Sequence, residues 1–404
     1  MFIFTFYMRL LSAGAKYRCP ATRLCQCWLC QCLTLWCQWC SGELAAALSD
    51  CSPLTQLCPT GPEVAEPRWP GRNLWDRLSV SLQGVTADTI SHLADLGRTV
   101  TQLEIYDCPD LTVGSLKPLT RCRELQRLSV TPADLPLLRG QLPEGLWCLN
   151  VRGPEVTEPR WPEWNPLVRG LSVSLQGVAA DTISHLADLG RTGTVLEIYD
   201  CTDLTTVSLE PVTRCRELRR LTLSGGVPDT VSLEPLTRCR WLEHLTLSGG
   251  VPNTVSLEPL TRCRELWVLT LSGGVPDSVS LEPLTRCPKL RDLTLSGGGP
   301  DTVLDSLSGC PRLEYLTLGD LQRPAETAFT AAAVTRLVKS CRKLDRLYLH
   351  CTADTGRTVL TALKEADLGR RSYVWPRTIR LYVPGELCRQ LKSQEGRWVK
   401  VLEW

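Results

Sequence analysis

The chain has 404 residues, and 45 Lys+Arg against 43 Asp+Glu leave a formal net charge of +2. That balance supplies no global field to hold nucleic acid or an anionic membrane, and 43% hydrophobic with 22% charged residues excludes a disordered chain. Only 4 His argue against a His-rich metal or acid–base centre, while 21 Cys pose a question that their positions must answer.

The first segment, residues 1–43, differs from the rest. Its apolar run MFIFTFY stops at Met8-Arg9 and is too short to span a bilayer. Ala13-Gly14-Ala15 has the small-x-small form of a signal cleavage site, but the charge order and apolar length are wrong for secretion. Seven cysteines lie between Cys19 and Cys40. Two C-x2-C pairs, Cys27/Cys30 and Cys37/Cys40, stand six residues apart, whereas zinc modules set such pairs about 12–20 apart. The segment reads as a disordered Cys-rich leader without a metal.

Residues 44–354 are built from copies. GPEVAEPRWP from Gly61 returns as GPEVTEPRWP from Gly153, and LSVSLQGVTADTISHLADLGRT from Leu78 returns from Leu171 with one change. Downstream, Leu218–Trp241, Leu242–Glu265 and Leu266–Lys289 are 24-residue units that agree at 18 positions and differ at six. All share L-x-x-L-x-L. Its middle leucine falls at Leu57, Leu78, Leu103, Leu128, Leu149, Leu171, Leu196, Leu221, Leu245, Leu269, Leu293, Leu316, Leu347 and Leu381, at spacings of 21 to 34 that cluster at 24 and 25.

The period-2 alternation of L-x-L puts both leucines on one face of a short strand. The following SLEPLTRC predicts one or two helical turns with proline in the first, where its missing N–H costs little. Longer helices are predicted for DTISHLADLG from Asp88 and Asp181 and for FTAAAVTRLVKSC from Phe329. A C-terminal repeat or cap, 355–404, is predicted as helix (RTVLTALKEADLG), strand (TIRLYV) and short helix (GELCRQLK). One unit cannot bury its apolar edge alone, but stacked neighbours share a continuous core.

Eight cysteines lie six residues before the ruler leucine: Cys51, Cys122, Cys215, Cys239, Cys263, Cys287, Cys310 and Cys341. Cys108 and Cys201 lie five after it. A residue recurring at one register forms a column through the interior, and free Cys behaves there as a small buried hydrophobe. Such a thiol column favours a reducing compartment, the cytoplasm or nucleus.

The period is that of leucine-rich repeats. SGCPRLEYLTL at Ser308–Leu318 and TRCRELRRLTL at Thr213–Leu223 resemble the cysteine-containing subclass known from F-box substrate receptors of ubiquitin ligases. The resemblance implies an α/β solenoid with a parallel concave sheet and short helices or turns on the convex side. It also implies a binding role, although residues 1–43 do not read as an F-box.

No motif for catalysis or a cofactor is present: GxxxxGK[ST], G-x-S-x-G and H-E-x-x-H do not occur. His92 and His185 are copies of one another. The column Glu210, Glu234, Glu258, Glu282 is expected to cap the turns. It is also expected to neutralise Arg214, Arg238, Arg262 and Arg286, each four residues later, leaving no stripe for nucleic acid.

The chain therefore reads as a non-catalytic scaffold, without cofactor or membrane span, that binds a protein or peptide. Two alternatives stand beside it: the substrate-recognition subunit of an F-box-type ligase, meeting the ligase adaptor, and the ligand-sensing end of an innate-immune-type receptor. The candidate contacts come from the positions that vary among the near-identical repeats, four of the six of which flank the strand start. Residues beside the ruler leucine face away from the core; Thr222, Thr246, Thr270 and Thr294 form one constant column there. The column before the leucine instead reads Arg220, His244, Val268, Asp292, Tyr315 and Arg346, with Trp267 beside it. Exposed positions can drift, but the outer turn SLEPLTRC is exposed too and has not drifted.

Overall fold

The computed structural model describes the strands at 32–35 and 56–59, then residues 78–84, 100–153, 170–178, 193–200 and 209–403. Short breaks interrupt the longer stretches, among them 139–141, 226–231, 298–300, 324–328 and 369–376. The chain divides into two units, Met1–Gly193 and Thr194–Trp404.

In the first unit the described strands are β1 (Cys32–Leu35), β2 (Gln56–Pro59), β3 (Leu78–Gln83), β4 (Val100–Tyr106), β5 (Arg127–Val130), β6 (Cys148–Arg152) and β7 (Leu171–Gln176). Each pairs in parallel with the next. β1 falls inside the segment expected to be a disordered leader, with Leu33 in register with Leu57. The repeat ladder thus starts one unit earlier than the sequence reading placed it. The rest of 1–43 lies outside the described residues.

A second correction concerns the ruler. Leu57 pairs with Val80 and Val80 with Leu103, while Leu149 pairs with Val173. Val80 and Val173, not Leu78 and Leu171, occupy the ruler column. A two-residue shift preserves the strand's parity, so the buried face is unchanged; Val80, Leu82, Leu171 and Val173 are all fully buried. The helices expected from Asp88 and Asp181 lie outside the described residues except for Ile90 and Ile183, both fully buried.

The second unit carries β8 (Gly193–Tyr199), β9 (Arg220–Leu223), β10 (His244–Leu247), β11 (Val268–Leu271), β12 (Asp292–Leu295), β13 (Tyr315–Leu318), β14 (Arg346–Leu349), β15 (Ile379–Val383) and β16 (Val399–Glu403). These again form a parallel ladder in chain order. Between the early strands run 3-10 turns such as Glu234–Arg238, Glu258–Arg262 and Glu282–Arg286. Further on come helices α1 (Asp301–Ser306), α2 (Ala331–Ser340), α3 (Ala353–Glu365) and α4 (Gly385–Leu391). The fold is a leucine-rich-repeat solenoid.

The turns repeat atom for atom. Pro235 lies in the first turn, the Ser232 hydroxyl accepts from the Glu234 N–H at 3.2 Å, and the Thr237 hydroxyl donates to the Glu234 carbonyl at 2.8 Å. Serine therefore does the work expected of glutamate, whose carboxylate makes no cap. Two of the carboxylates instead pair with arginines of the following repeat: Arg238 with Glu210 at 3.3 Å, and Arg286 with Glu258 at 2.6 Å. Past each strand, glycines with positive φ stack closely. Gly273 (φ +93°) lies against Gly250, and Gly297 (φ +100°) against Gly274, so that a Cβ would strike backbone.

The cysteine column is buried as expected: Cys122, Cys215, Cys239, Cys263, Cys287, Cys310 and Cys341 are at most 3% exposed, while Cys51 and Cys201 lie outside the described residues. Each thiol from Cys239 to Cys287 reaches back one repeat. Cys239 donates to the Val212 carbonyl (3.9 Å), Cys263 to Leu236 (3.4 Å) and Cys287 to Leu260 (3.5 Å). Burial pushes the thiols of Cys239 and Cys287 up to about 11 and those of Cys215 and Cys263 up to about 12.

One arginine joins this interior. Arg377 is 3% exposed. Its Nη1 donates to the Val338 carbonyl (2.6 Å), Nη2 to Cys341 (2.7 Å) and Leu344 (2.8 Å), and Nε to Leu344 (3.1 Å). The last carbonyls of α2 lack intrahelical partners and carry the negative end of the helix dipole, so a guanidinium fork fits there.

Candidate interaction surface

Strand parity sends the leucines of L-x-L inward and leaves the intervening side chains on the opposite, open face. On β10 to β14 that pattern is strict: the leucines are buried and their neighbours half-buried. Register then sets the variable positions side by side. Arg220 pairs with His244, His244 with Val268, Val268 with Asp292, Asp292 with Tyr315, and Tyr315 with Arg346. The six residues selected from sequence form one transverse row, about 4.8 Å from strand to strand.

Trp267 lies one position earlier, in a column of mostly alternating charge. Arg219 pairs with Glu243 at 3.1 Å and Arg291 approaches Glu314 at 3.9 Å. Trp267 interrupts the series, is 44% exposed, and sets its ring 5.8 Å from that of His244. Burial, then the Arg220 charge, holds the His244 pKa below its ordinary value, and burial raises that of Asp292. Both shifts favour the neutral form at the centre of the row.

The structure adds residues that the sequence reading missed. The constant threonine column ends in aromatics: Thr317 pairs with Tyr348, and Tyr348 with Tyr382. These two rings stack at 4.5 Å. Arg346 continues to Arg380 and then to Lys400. In the first unit, Arg127 lies 4.9 Å over the exposed Trp147. The replacement of Thr by Tyr in an otherwise constant column was the available signal.

Among the described residues, no group of three or more His, Cys, Asp or Glu side chains is placed to hold a metal ion. Nor is any helix there long and apolar enough to cross a membrane.

No protein-family model and no curated protein matches the chain. Solved structures do. An internalin from Listeria monocytogenes is 17% identical over 67% of this chain and 82% of its own, with a TM-score of 0.36. The mouse RP105/MD-1 complex gives 17% identity over 88% of this chain and 72% of that one, at 0.45. A leucine-rich-repeat protein of Leptospira interrogans gives 13% over 96% and 99%, at 0.35.

Proposed function

We propose that the protein is a non-catalytic interaction scaffold that binds a protein or peptide on the open face of the second unit. The observation that carries this reading is the transverse row itself. Three repeats copied at 18 of 24 positions keep even the exposed positions of the outer turn unchanged, Ser232, Glu234 and Arg238 and their copies. On the open face they diverge at Arg220, His244 and Val268 and at the neighbouring Arg219, Glu243 and Trp267, and the row continues through Asp292 and Tyr315 to Arg346. A scaffold role alone would have left that row as uniform as the threonines beside it. Aromatic and arginine side chains dominate binding hot spots, which singles out Trp267, Tyr315, Arg220 and Arg346.

Affinity purification with the full chain identifies the partner, and single alanine substitutions along the row then test the surface. Trp267→Ala and Tyr315→Ala are expected to weaken binding about tenfold or more. If all row substitutions are silent while Glu258→Lys on the outer turn abolishes binding, the assignment is wrong.

A narrower reading is favoured by the cysteine column, which resembles the repeats of F-box substrate receptors: a substrate-recognition subunit working in the cytoplasm or nucleus. Co-purification of the ligase adaptor supports it, and a partner set without adaptor argues against it. A column of buried cysteines would be a mispairing hazard in an oxidising compartment, which supports a reducing one.

A further inference from the structure

Arg346, Arg380 and Lys400 occupy directly paired positions on β14, β15 and β16, an arrangement that costs stability because like charges face one another. Two of the three are compensated internally: Arg380 by Asp345 at 3.2 Å, and Lys400 by Glu395 at 3.7 Å. Arg346 has no carboxylate within ion-pair distance among the described residues, and its Nε is buried without a hydrogen-bond partner. Its guanidinium lies 5.0 Å from the centre of the Tyr315 ring. The stacked pair Tyr348 and Tyr382 stands beside it on the same face. The Tyr348 side chain is its strongest polar neighbour, and the remaining guanidinium N–H groups can take a bidentate acceptor.

We infer that Arg346, framed by Tyr315, Tyr348 and Tyr382, is the recognition point for a single Asp or Glu side chain of an extended peptide lying across β13 to β15. The inference rests on the open-face reading above and specifies its ligand. One uncompensated cation suits one carboxylate; a polyphosphate backbone asks for a continuous positive groove. The tyrosines offer hydroxyl donors to the same acceptor and apolar surface to the residues on either side.

The test is selection of a random decapeptide display library against the full-length protein, followed by synthesis of the enriched peptide in its Asp/Glu form, in the matching Asn/Gln form and with phosphoserine at the acidic position. The acidic form is expected to bind wild type at least tenfold tighter than the amide form. That preference should collapse in Arg346→Met, fall sharply in Arg346→Lys, which keeps the charge but not the fork, and persist in Arg262→Met on the outer turn. Circular dichroism melts check that each variant is folded; if Arg346→Met is not, Arg346→Lys and Tyr382→Phe decide. The inference is overturned if the preference survives these changes, if no acidic position is enriched, if the phosphoserine form binds more tightly than the acidic one, or if a single-stranded uridine decamer binds more tightly than the peptide. Binding that depends on Arg220 and Trp267 but ignores Arg346 overturns this inference alone. Binding indifferent to every open-face position overturns the open-face reading with it.

Discussion

Replacing Arg377 by methionine is the most direct perturbation of the interior. The methionine retains much of the apolar stem and removes four hydrogen bonds from the charged guanidinium to the carbonyls of Val338, Cys341 and Leu344. Each bond to a charged donor is worth about 1.5–3 kcal/mol against one left unmade. Against this, the several kcal/mol needed to strip water from the guanidinium is no longer spent. The balance is a loss of about 3–5 kcal/mol, in the range found when one partner of a buried charged contact is removed. For a unit the size of Thr194–Trp404, at about 2–4 °C per kcal/mol, the melting temperature should fall by about 6–20 °C. Stability in repeat proteins is local, so hydrogen exchange should show protection lost first across α2 and α3 and retained across β9 to β12. Arg377→Lys keeps the charge but presents a single ammonium, and should fall between the two. A methionine variant within about 1 kcal/mol of wild type in urea or thermal melts would refute the capping role.

Further outcomes concern the thiols and the glycines. The thiols of Cys215, Cys239, Cys263 and Cys287, pushed up to about 11 or 12, stay protonated where those of the unfolded chain ionise near pH 9. The unfolded state then binds fewer protons than the native one. Stability should therefore fall as pH rises above about 9, by up to about 1.4 kcal/mol per pH unit for each thiol; a urea midpoint that is flat from pH 8 to 10.5 contradicts this. In native protein, maleimide should label Cys239 and Cys263 only on the timescale of unfolding, and rapid labelling breaks the argument. Cys263→Ser places a hydroxyl at the same register and should cost about 1–3 kcal/mol, read from the urea midpoint. Gly273→Ala combines a left-handed φ with a Cβ driven into the Gly250 backbone and should cost about 2–4 kcal/mol. At Gly309 (φ +96°) nothing lies within 4 Å of an added Cβ, so alanine there should cost only the conformational part, about 1–2 kcal/mol. Equal losses at the two sites would contradict the stacking argument.

The period, the buried leucines and the thiol column were legible because each recurs, and recurrence at a fixed register has one structural meaning. The displaced ruler at Val80 and Val173 was not. A valine in the column and a leucine two residues earlier satisfy the same parity, and only pairing to the neighbouring strand separates them. β16 escaped for a similar reason: Val399-Lys400-Val401 is the same alternation without leucine. The Glu–Arg pairing was misread through an α-helical rule. Residues four apart share a face in an α-helix, but a 3-10 turn has three residues per turn. Arg286 therefore reaches Glu258, 28 residues away, at 2.6 Å. Arg377 gave no signal at all, because a lone arginine before a strand becomes a cap only when α2 is brought beside it. The transverse row was readable up to Arg346, and the tyrosines beyond it fell outside the clean repeats where the comparison was made.

The register of the copied repeats has a consequence for chain length. Removing one whole unit, Leu242–Glu265, joins Trp241 to Leu266 and meets no new kind of contact in the interior. Cys287 then finds the carbonyl of Leu236 where it had Leu260, Arg286 finds Glu234 in place of Glu258, and the glycine stack closes over Gly225. The sheet shortens by one strand, about 4.8 Å, while the transverse row loses His244 and brings Arg220 beside Val268. Length and surface text are thus edited by the same step. Unequal recombination between near-identical 24-residue blocks can rewrite what the face presents, with every interior contact replaced by its duplicate.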